Sequence, residues 1–242
     1  MTNVHAVPFC LDEAKRRAPR IRKALLSWAE KALRDYSWRR NRTAYSVLIA
    51  EFLLKRTTAT AASRLYEKFL GKYPDVTTLA RASTKELERL LTSIGYQYLR
   101  ARELKTTAGY IVKEFKAELP EDLKSLLTIP NVGLYTAGAI MSLGYGKRAT
   151  MIDSNALRVV SRIFKNSMPV RCTSKAIMEI AEILLPNKQH DIFNLAIIDL
   201  GGTICIYGIP RCKICSLPNH CDIGIANTDC LRHSTKQIMR KS

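Results

Sequence analysis

Four of the chain's seven cysteines, Cys205, Cys212, Cys215 and Cys221, fall within seventeen residues, in "CIYGIPRCKICSLPNHC", at a spacing of C-x6-C-x2-C-x5-C. Thiols packed that densely need a reason, and the start, "MTNVHAVPFCLDEAKRR", lacks the apolar core of a secretion signal. A cytosolic address is therefore expected and a disulfide frame is not. Two soft-metal readings stay open: four thiolates suit a tetrahedral zinc ion or a 4Fe-4S cluster, and spacing alone does not separate them. Four buried apolar cysteines are the plain alternative. Gly208, Pro210 and Pro218 stiffen the loop, so its ligands need little ordering on binding. Cys10, Cys172 and Cys230 have no companions at ligand spacing and read as core or surface thiols.

Elsewhere the chain is patterned for helices. Ser83 with Glu86 three residues on makes a capping box; Leu87, Leu90, Leu91 and Ile94 follow at helical spacing, and Gly95 stops the run. Ala176 to Leu185 repeats the form, with Ile177, Ile180 and Leu184 on one stripe and Pro186 after it. There is no hairpin signal, alternating strand run, low-complexity linker or internal repeat, so the expected fold class is all-α. With 242 residues, 47% hydrophobic, the chain can bury one large or two modest cores, which excludes a disordered or fibrous polymer. No apolar run reaches membrane-spanning length. A formal charge of +18 points to a polyanionic partner, nucleic acid first, with a solvated basic surface as the alternative. The excess gathers at the ends: residues 1–42 hold eleven Lys and Arg against four Asp and Glu, and residues 231–242 hold four against none.

The cysteine spacing is similar to the iron-sulfur loop of the endonuclease III superfamily of DNA base-excision glycosylases. "FNLAIIDLGGTIC" resembles that family's lead-in to its first ligand. "LTIPNVGLYTAGAIMSLGYGKRATMIDSN", residues 127–155, resembles its helix-hairpin-helix motif followed by a Gly/Pro-rich segment and an aspartate, and the motifs stand in the family's order over roughly residues 25–222. The resemblance implies a two-lobed helix-hairpin-helix glycosylase fold with a C-terminal iron-sulfur cluster loop. Residues 35–160 would be the helical domain with the hairpin, residues 1–34 and 161–228 the cluster domain, and residues 229–242 a basic tail. It also implies a 4Fe-4S cluster on the four cysteines, structural rather than catalytic, shaping a basic loop with Arg211 and Lys213 for DNA contact. The implied partner is double-stranded DNA holding a mismatch, with no membrane, a monomer as the working form and a nucleoid-associated place in the cytoplasm.

A turn at Pro130, Asn131, Val132 and Gly133 that hands over to a helix near Leu134 points amides outward, and amides at a helix N-terminus suit a phosphate. Such a contact grips the DNA backbone without reading sequence. For a lone turn, an ordinary connection between packed helices is the alternative. The family usually has glycine where Asn131 stands, and asparagine tolerates left-handed backbone better than other non-glycine residues.

Asp153 stands where a helix begins, before "SNALRVVSRIF", and on its own reads as an N-cap. In the resembling family an aspartate here stabilises the oxocarbenium-like sugar cation as the N-glycosidic bond breaks, or orients the attacking water; capping and catalysis are compatible. Tyr135 occupies the position where strand-cleaving relatives carry a lysine that attacks the sugar. A phenol forms no Schiff base, so base release without strand cleavage is implied, although the residue alone also fits a half-buried helix aromatic. Tyrosine here resembles the thymine-DNA mismatch branch, which removes thymine from T:G pairs.

Glu51, inside the apolar "AYSVLIAEFLLKRTTA", is costly without a partner, so it is paired, exposed or lining a cavity. The resemblance gives it the task of protonating or hydrogen-bonding the departing base. Relatives also fill the gap left by the flipped base from two loops, matching Lys55 to Thr57 and "SIGYQYLRARELK". Arg56 would reach the orphaned guanine and Tyr96 or Gln97 would wedge into the stack. Arg100, Arg102 and Lys105 read as a phosphate-facing basic surface.

The function expected is a monofunctional DNA glycosylase acting on thymine, and on uracil, opposite guanine. One alternative is an adenine-mismatch glycosylase; those enzymes carry a further C-terminal domain, whereas this chain ends soon after Cys221. The other is a non-catalytic metal-stabilised DNA-binding protein, for which Asp153 and Glu51 would be unnecessary.

Overall fold

The computed structural model describes residues 6–168 and 173–227, and among these every regular element is helical. The chain packs as two compact units. One is Asp35–Met151; the other joins the residues up to Arg34 with those from Ile152 on. The first helix, α1 (Ala6–Ala32), belongs to the second of these.

The central unit holds α2 (Ala44–Leu54), α3 (Ala59–Lys72), α4 (Val76–Arg81), α5 (Thr84–Leu91), α6 (Gln97–Phe115), α7 (Leu123–Leu126) and α8 (Leu134–Ala139). Helix α2 starts on a capping box, with the Thr43 hydroxyl accepting from the Ser46 amide at 3.1 Å and the Ser46 hydroxyl accepting from the Thr43 amide at 2.9 Å. It is apolar on every side and nearly all buried, which makes it the core helix against which α3, α8 and a π-helical segment, Ile140–Gly144, pack. The crossing is close: a Cβ on Gly144 would stand 2.7 Å from the Ala44 Cα, and one on Gly138 would stand 2.1 Å from the Thr150 carbonyl oxygen. Glycine is required at both places.

Helix α6 covers α4 and α5. In α5, Leu87 and Leu91 are fully buried, each worth about 2 kcal/mol of removed apolar surface. The expected capping box does not form. Ser83 is the N-cap but makes no side-chain capping bond, and Glu86 instead binds the Lys72 ammonium at 2.8 Å, because a partner from α3 outcompetes an amide at a solvated helix end. A 3-10 turn, Thr92–Ile94, carries the chain to Gly95, whose φ of +73° ends the run as expected.

The terminal unit adds α9 (Ser154–Ile163), α10 (Ser174–Leu184) and α11 (His190–Thr203). Helix α1 buries a stripe of Cys10, Ala14, Ala18, Ile21, Leu25 and Ala29, spaced by three and four, against α10 and α11, and Pro19 stands within it without ending it. Arg22 caps α10, donating to the carbonyls of Leu184 at 2.9 Å, Ile183 at 2.6 Å and Leu185 at 3.3 Å. Asp199 of α11 is fully buried and accepts from the Arg34 amide at 2.9 Å and its guanidinium at 2.8 and 2.5 Å, the complete pairing that a buried carboxylate needs.

Residues 152–160, grouped with the hairpin on sequence, belong instead with the terminal segments, since α9 packs on α10 and α11 through Val159, Val160 and Ile163. Cys10 is a buried core thiol. Cys172, Cys230 and the basic tail at 229–242 lie outside the described residues. No helix among the described residues is long and apolar enough to cross a membrane.

Candidate active site

Glu51 sits near the end of α2 and is 8% exposed, which removes the solvated-helix alternative. Helix α8 begins at Leu134 and so presents Tyr135 on its first turn, where the phenol donates to Glu51 Oε1 at 3.5 Å. That is the long limit of a hydrogen bond, a contact easily exchanged for one to a ligand. These two predicted residues do meet, within the central unit.

The turn between α7 and α8 has the predicted left-handed residue: Asn131 has φ of +66°. Its side-chain amide is turned back onto α6, donating to Thr107 Oγ1 at 3.2 Å and to the Glu103 carbonyl at 3.5 Å, while Thr107 Oγ1 donates to the Pro130 carbonyl at 2.8 Å. Asparagine here supplies both the left-handed backbone and an anchor that glycine lacks. Val132 is different from expectation: its side chain is buried and its amide is spent on the Ile129 carbonyl at 3.2 Å, so it plugs the turn and faces no solvent. Gly133 is exposed, and a Cβ there would meet nothing within 4 Å. The fold itself does not demand this glycine, and the bare backbone leaves room for an incoming group.

Several cations predicted to face DNA turn inward. The Lys55 ammonium lies 3.4 Å from Glu103 Oε2, 3.2 Å from the Asn131 carbonyl and 4.2 Å over the Phe52 ring. Lys105 donates to the carbonyls of Ala80 at 3.0 Å and Ala82 at 2.6 Å. Arg100 is 3% exposed, whereas Arg102 is exposed as expected. Arg56 and Tyr96 are both exposed, line one recess with Leu99 and Glu103, and stand together, the guanidinium 5.6 Å from the ring centre. Both have left-handed backbone, at φ of +50° and +53°. For such residues that costs about 1–2 kcal/mol each. Gln97 lines a different recess with Lys85, Glu88 and Tyr98, so it does not join them.

In the terminal unit Asp153 caps α9, as predicted. Its Oδ1 accepts from the Ala156 amide at 2.7 Å and its Oδ2 from Asn155 Nδ2 at 2.7 Å. Asn155 Oδ1 in turn accepts from Arg158 at 2.8 Å, and Arg158 donates to the carbonyls of Gly201 at 2.8 Å and Cys205 at 2.9 Å. Gly201 is what lets α9 come this near, since a Cβ there would stand 2.6 Å from the Asn155 Cβ.

Cys205, Cys212, Cys215 and Cys221 line one recess with Ile204, Pro210 and Pro218. Each sulfur has an N–H donor: Arg162 to Cys205 at 3.4 Å, Asn227 to Cys212 at 3.3 Å, the Leu217 amide to Cys215 at 3.4 Å, and the Ile223 and Gly224 amides to Cys221. Cys221 Sγ also lies 3.3 Å from the Arg162 carbonyl, a bond that only the protonated thiol donates. Burial pushes the Cys221 thiol up to about 11, and Cys215 is raised for the same reason. Among the described residues no group of three or more His, Cys, Asp or Glu side chains is arranged to hold a metal ion. Arg211 and Lys213 are exposed on this loop.

Sequence reasoning missed Asn155, Arg158, Glu103 and Thr107. The last two had a readable signal, since with Arg100 they fall at i, i+3 and i+7 on α6.

Residues 49–187 match the model of the HhH-GPD superfamily of base excision DNA repair proteins. A thymine/uracil-DNA glycosylase of Methanothermobacter thermautotrophicus is 35% identical over 78% of this chain and 86% of its own. An adenine DNA glycosylase of Mycolicibacterium smegmatis is 32% identical over 81% of this chain and 67% of its own. The solved structure of a thermostable thymine-DNA glycosylase superposes with a TM-score of 0.83 at 32% identity, covering 87% of this chain and 98% of that one. An endonuclease III bound to DNA shares the fold, with a TM-score of 0.75 at 21% identity. With its hairpin turn, its capped aspartate and these matches over most of its length, the chain belongs to the HhH-GPD superfamily of base excision DNA repair proteins.

Proposed function

We propose that the protein is a monofunctional DNA glycosylase that hydrolyses the N-glycosidic bond of thymine, and of uracil, mispaired with guanine. The observation that carries this reading is Tyr135 on the first turn of the hairpin's second helix, with its hydroxyl toward buried Glu51: a phenol stands where covalent strand cleavage needs an amine. The thymine/uracil-DNA glycosylases among its relatives support the same substrate class. Asp153 presents a carboxylate whose two oxygens are each held by an N–H, so it needs no reorganisation when positive charge develops on the sugar. Glu51 hydrogen-bonds or protonates the departing base, and Tyr135 lies beside the sugar. The exposed backbone of Asn131 and Gly133 takes a DNA phosphate, Arg56 reaches the orphaned guanine, and Tyr96 wedges into the stack. A monomer is the proposed working form.

Cys205, Cys212, Cys215 and Cys221 are proposed to hold a 4Fe-4S cluster. The chemistry of the donor set supports this, although the four sulfurs as they stand are not grouped around a metal position: the thiols share one recess, and each receives an N–H of the kind that stabilises charged cluster sulfur. Bound there, the cluster would fix the loop that carries Arg211 and Lys213. Iron and acid-labile sulfide in the purified protein, with visible absorption, test it; zinc in their place would refute it.

Duplexes with single T:G, U:G, A:G and A:8-oxoguanine pairs, heated in alkali after incubation, test the activity. Abasic sites are expected from T:G and U:G. Release from A:G alone would move the protein to the adenine branch, whose members are also among its relatives. The Tyr135→Lys variant should trap on an abasic duplex under borohydride while the parent does not, and trapping by the parent would refute the monofunctional reading.

A further inference from the structure

We infer that Arg100 is the positioning residue for the two loops that carry Arg56 and Tyr96, and that the polar face of α6 beginning with it fixes those loops against the hairpin. Arg100 is 3% exposed, so its charge is not offered to a phosphate. Its donors are spent on two segments: Nη1 on the Phe52 carbonyl at 2.5 Å, Nη2 on the Lys55 carbonyl and on Thr57 Oγ1 at 2.5 Å, and Nε on the Gly95 carbonyl at 3.0 Å. It thus grips the residues on both sides of Arg56 and the one before Tyr96.

Those two neighbours are the strained ones. Arg56 and Tyr96 both hold left-handed backbone and stand within cation–π reach. Such conformations persist only where the surroundings over-determine them, and the planar fork of Arg100 is that surrounding. Further along the same face, Glu103 pairs with Lys55 at 3.4 Å and Thr107 holds the Pro130 carbonyl at 2.8 Å. One helix face therefore sets the spacing between the wedge pair and the turn proposed to grip phosphate. Entry into a duplex requires both side chains to arrive together at a fixed distance from that grip, and a prefixed arrangement avoids ordering them on binding. A lysine at position 100 would keep a cation but has one ammonium where the arginine has a fork, so it cannot span both loops.

The inference rests on the DNA-glycosylase reading only in expecting Arg56 and Tyr96 to enter DNA, and its test does not depend on which base is excised. Affinity is measured for a duplex with a tetrahydrofuran abasic analogue opposite guanine and a neighbouring 2-aminopurine, relative to the fully paired duplex. Arg100→Lys should lower the parental preference about tenfold and restore the quenched, stacked 2-aminopurine signal, while binding to paired DNA changes by less than about twofold. Adding Arg100→Lys to an Arg56→Ala/Tyr96→Ala protein should change nothing further. Thr57→Val, which removes one acceptor of Arg100 together with the hydroxyl's own contacts to the Lys55 carbonyl at 3.2 Å and the Ile94 carbonyl at 3.4 Å, and leaves the charge in place, should give about a threefold loss of the same preference. A parental preference in Arg100→Lys or Thr57→Val, multiplicative losses in the combined variant, or a parent without any preference would each overturn the inference. Failure to release any mismatched base would instead fall on the proposed function, leaving the binding result to judge Arg100.

Discussion

The two carboxylates assigned to chemistry are held in opposite ways. Asp153 is half-exposed, with an amide and a carboxamide each at 2.7 Å and a further tie through Asn155 to Arg158. Glu51 is buried in an apolar helix and meets Tyr135 at 3.5 Å. A group that must stay charged and still while a cation forms profits from short, directed donors. One that must exchange a proton or a hydrogen bond with a leaving base profits from a shielded place and a loose partner. The contrast matches the separate roles proposed for the two carboxylates.

Four substitutions would break or sharpen that contrast, beginning with the largest effect. Asp153→Asn keeps the capping ability and deletes the charge, so single-turnover excision from T:G should fall by about 10³-fold with DNA affinity retained. Activity within a few-fold of the parent would return Asp153 to helix capping alone. Glu51→Gln should cost about 10²-fold, the size of a lost proton transfer; a rate within a few-fold of the parent would remove the acid role. Asn155→Ala spares the Ala156 amide bond but frees Oδ2 and leaves Arg158 with only the Gly201 and Cys205 carbonyls as acceptors. About a tenfold drop in rate with unaltered affinity is expected, and a change in affinity instead would place Asn155 in binding. Tyr135→Phe removes the hydroxyl that meets Glu51 at 3.5 Å and should change the rate by no more than about threefold. A larger loss would show that the phenol acts on substrate directly.

Much of this was legible in local pattern. The helical periodicity, the stop at Gly95, the cap at Asp153 and the left-handed Asn131 all depend on residues within one turn of the chain, where spacing and backbone preference decide. What failed to read were the long cations. Lys55, just past α2, and Arg100 and Lys105, on α6, stand at places that look solvated in sequence, yet their side chains reach carbonyls of other segments. A flexible stem of several bonds finds its partner only once the helices have packed, so no spacing rule locates it. The same reason defeats the capping box at Ser83, where Lys72 of the neighbouring helix takes Glu86, and the boundary near residue 151, which depends on what α9 packs against.

Asn131 ties the turn to α6 through the Thr107 hydroxyl, and that tie links two sites that are distant in the chain. A lineage that replaces Asn131 by glycine keeps the turn and loses the anchor, after which the hydroxyl at 107 has only the Pro130 carbonyl to serve. A lineage that loses the hydroxyl first leaves the carboxamide at 131 with only the longer contact to the Glu103 carbonyl and gains little by keeping it. Positions 107 and 131 should therefore drift as a pair across descendants of this chain, with threonine or serine at one accompanying asparagine at the other.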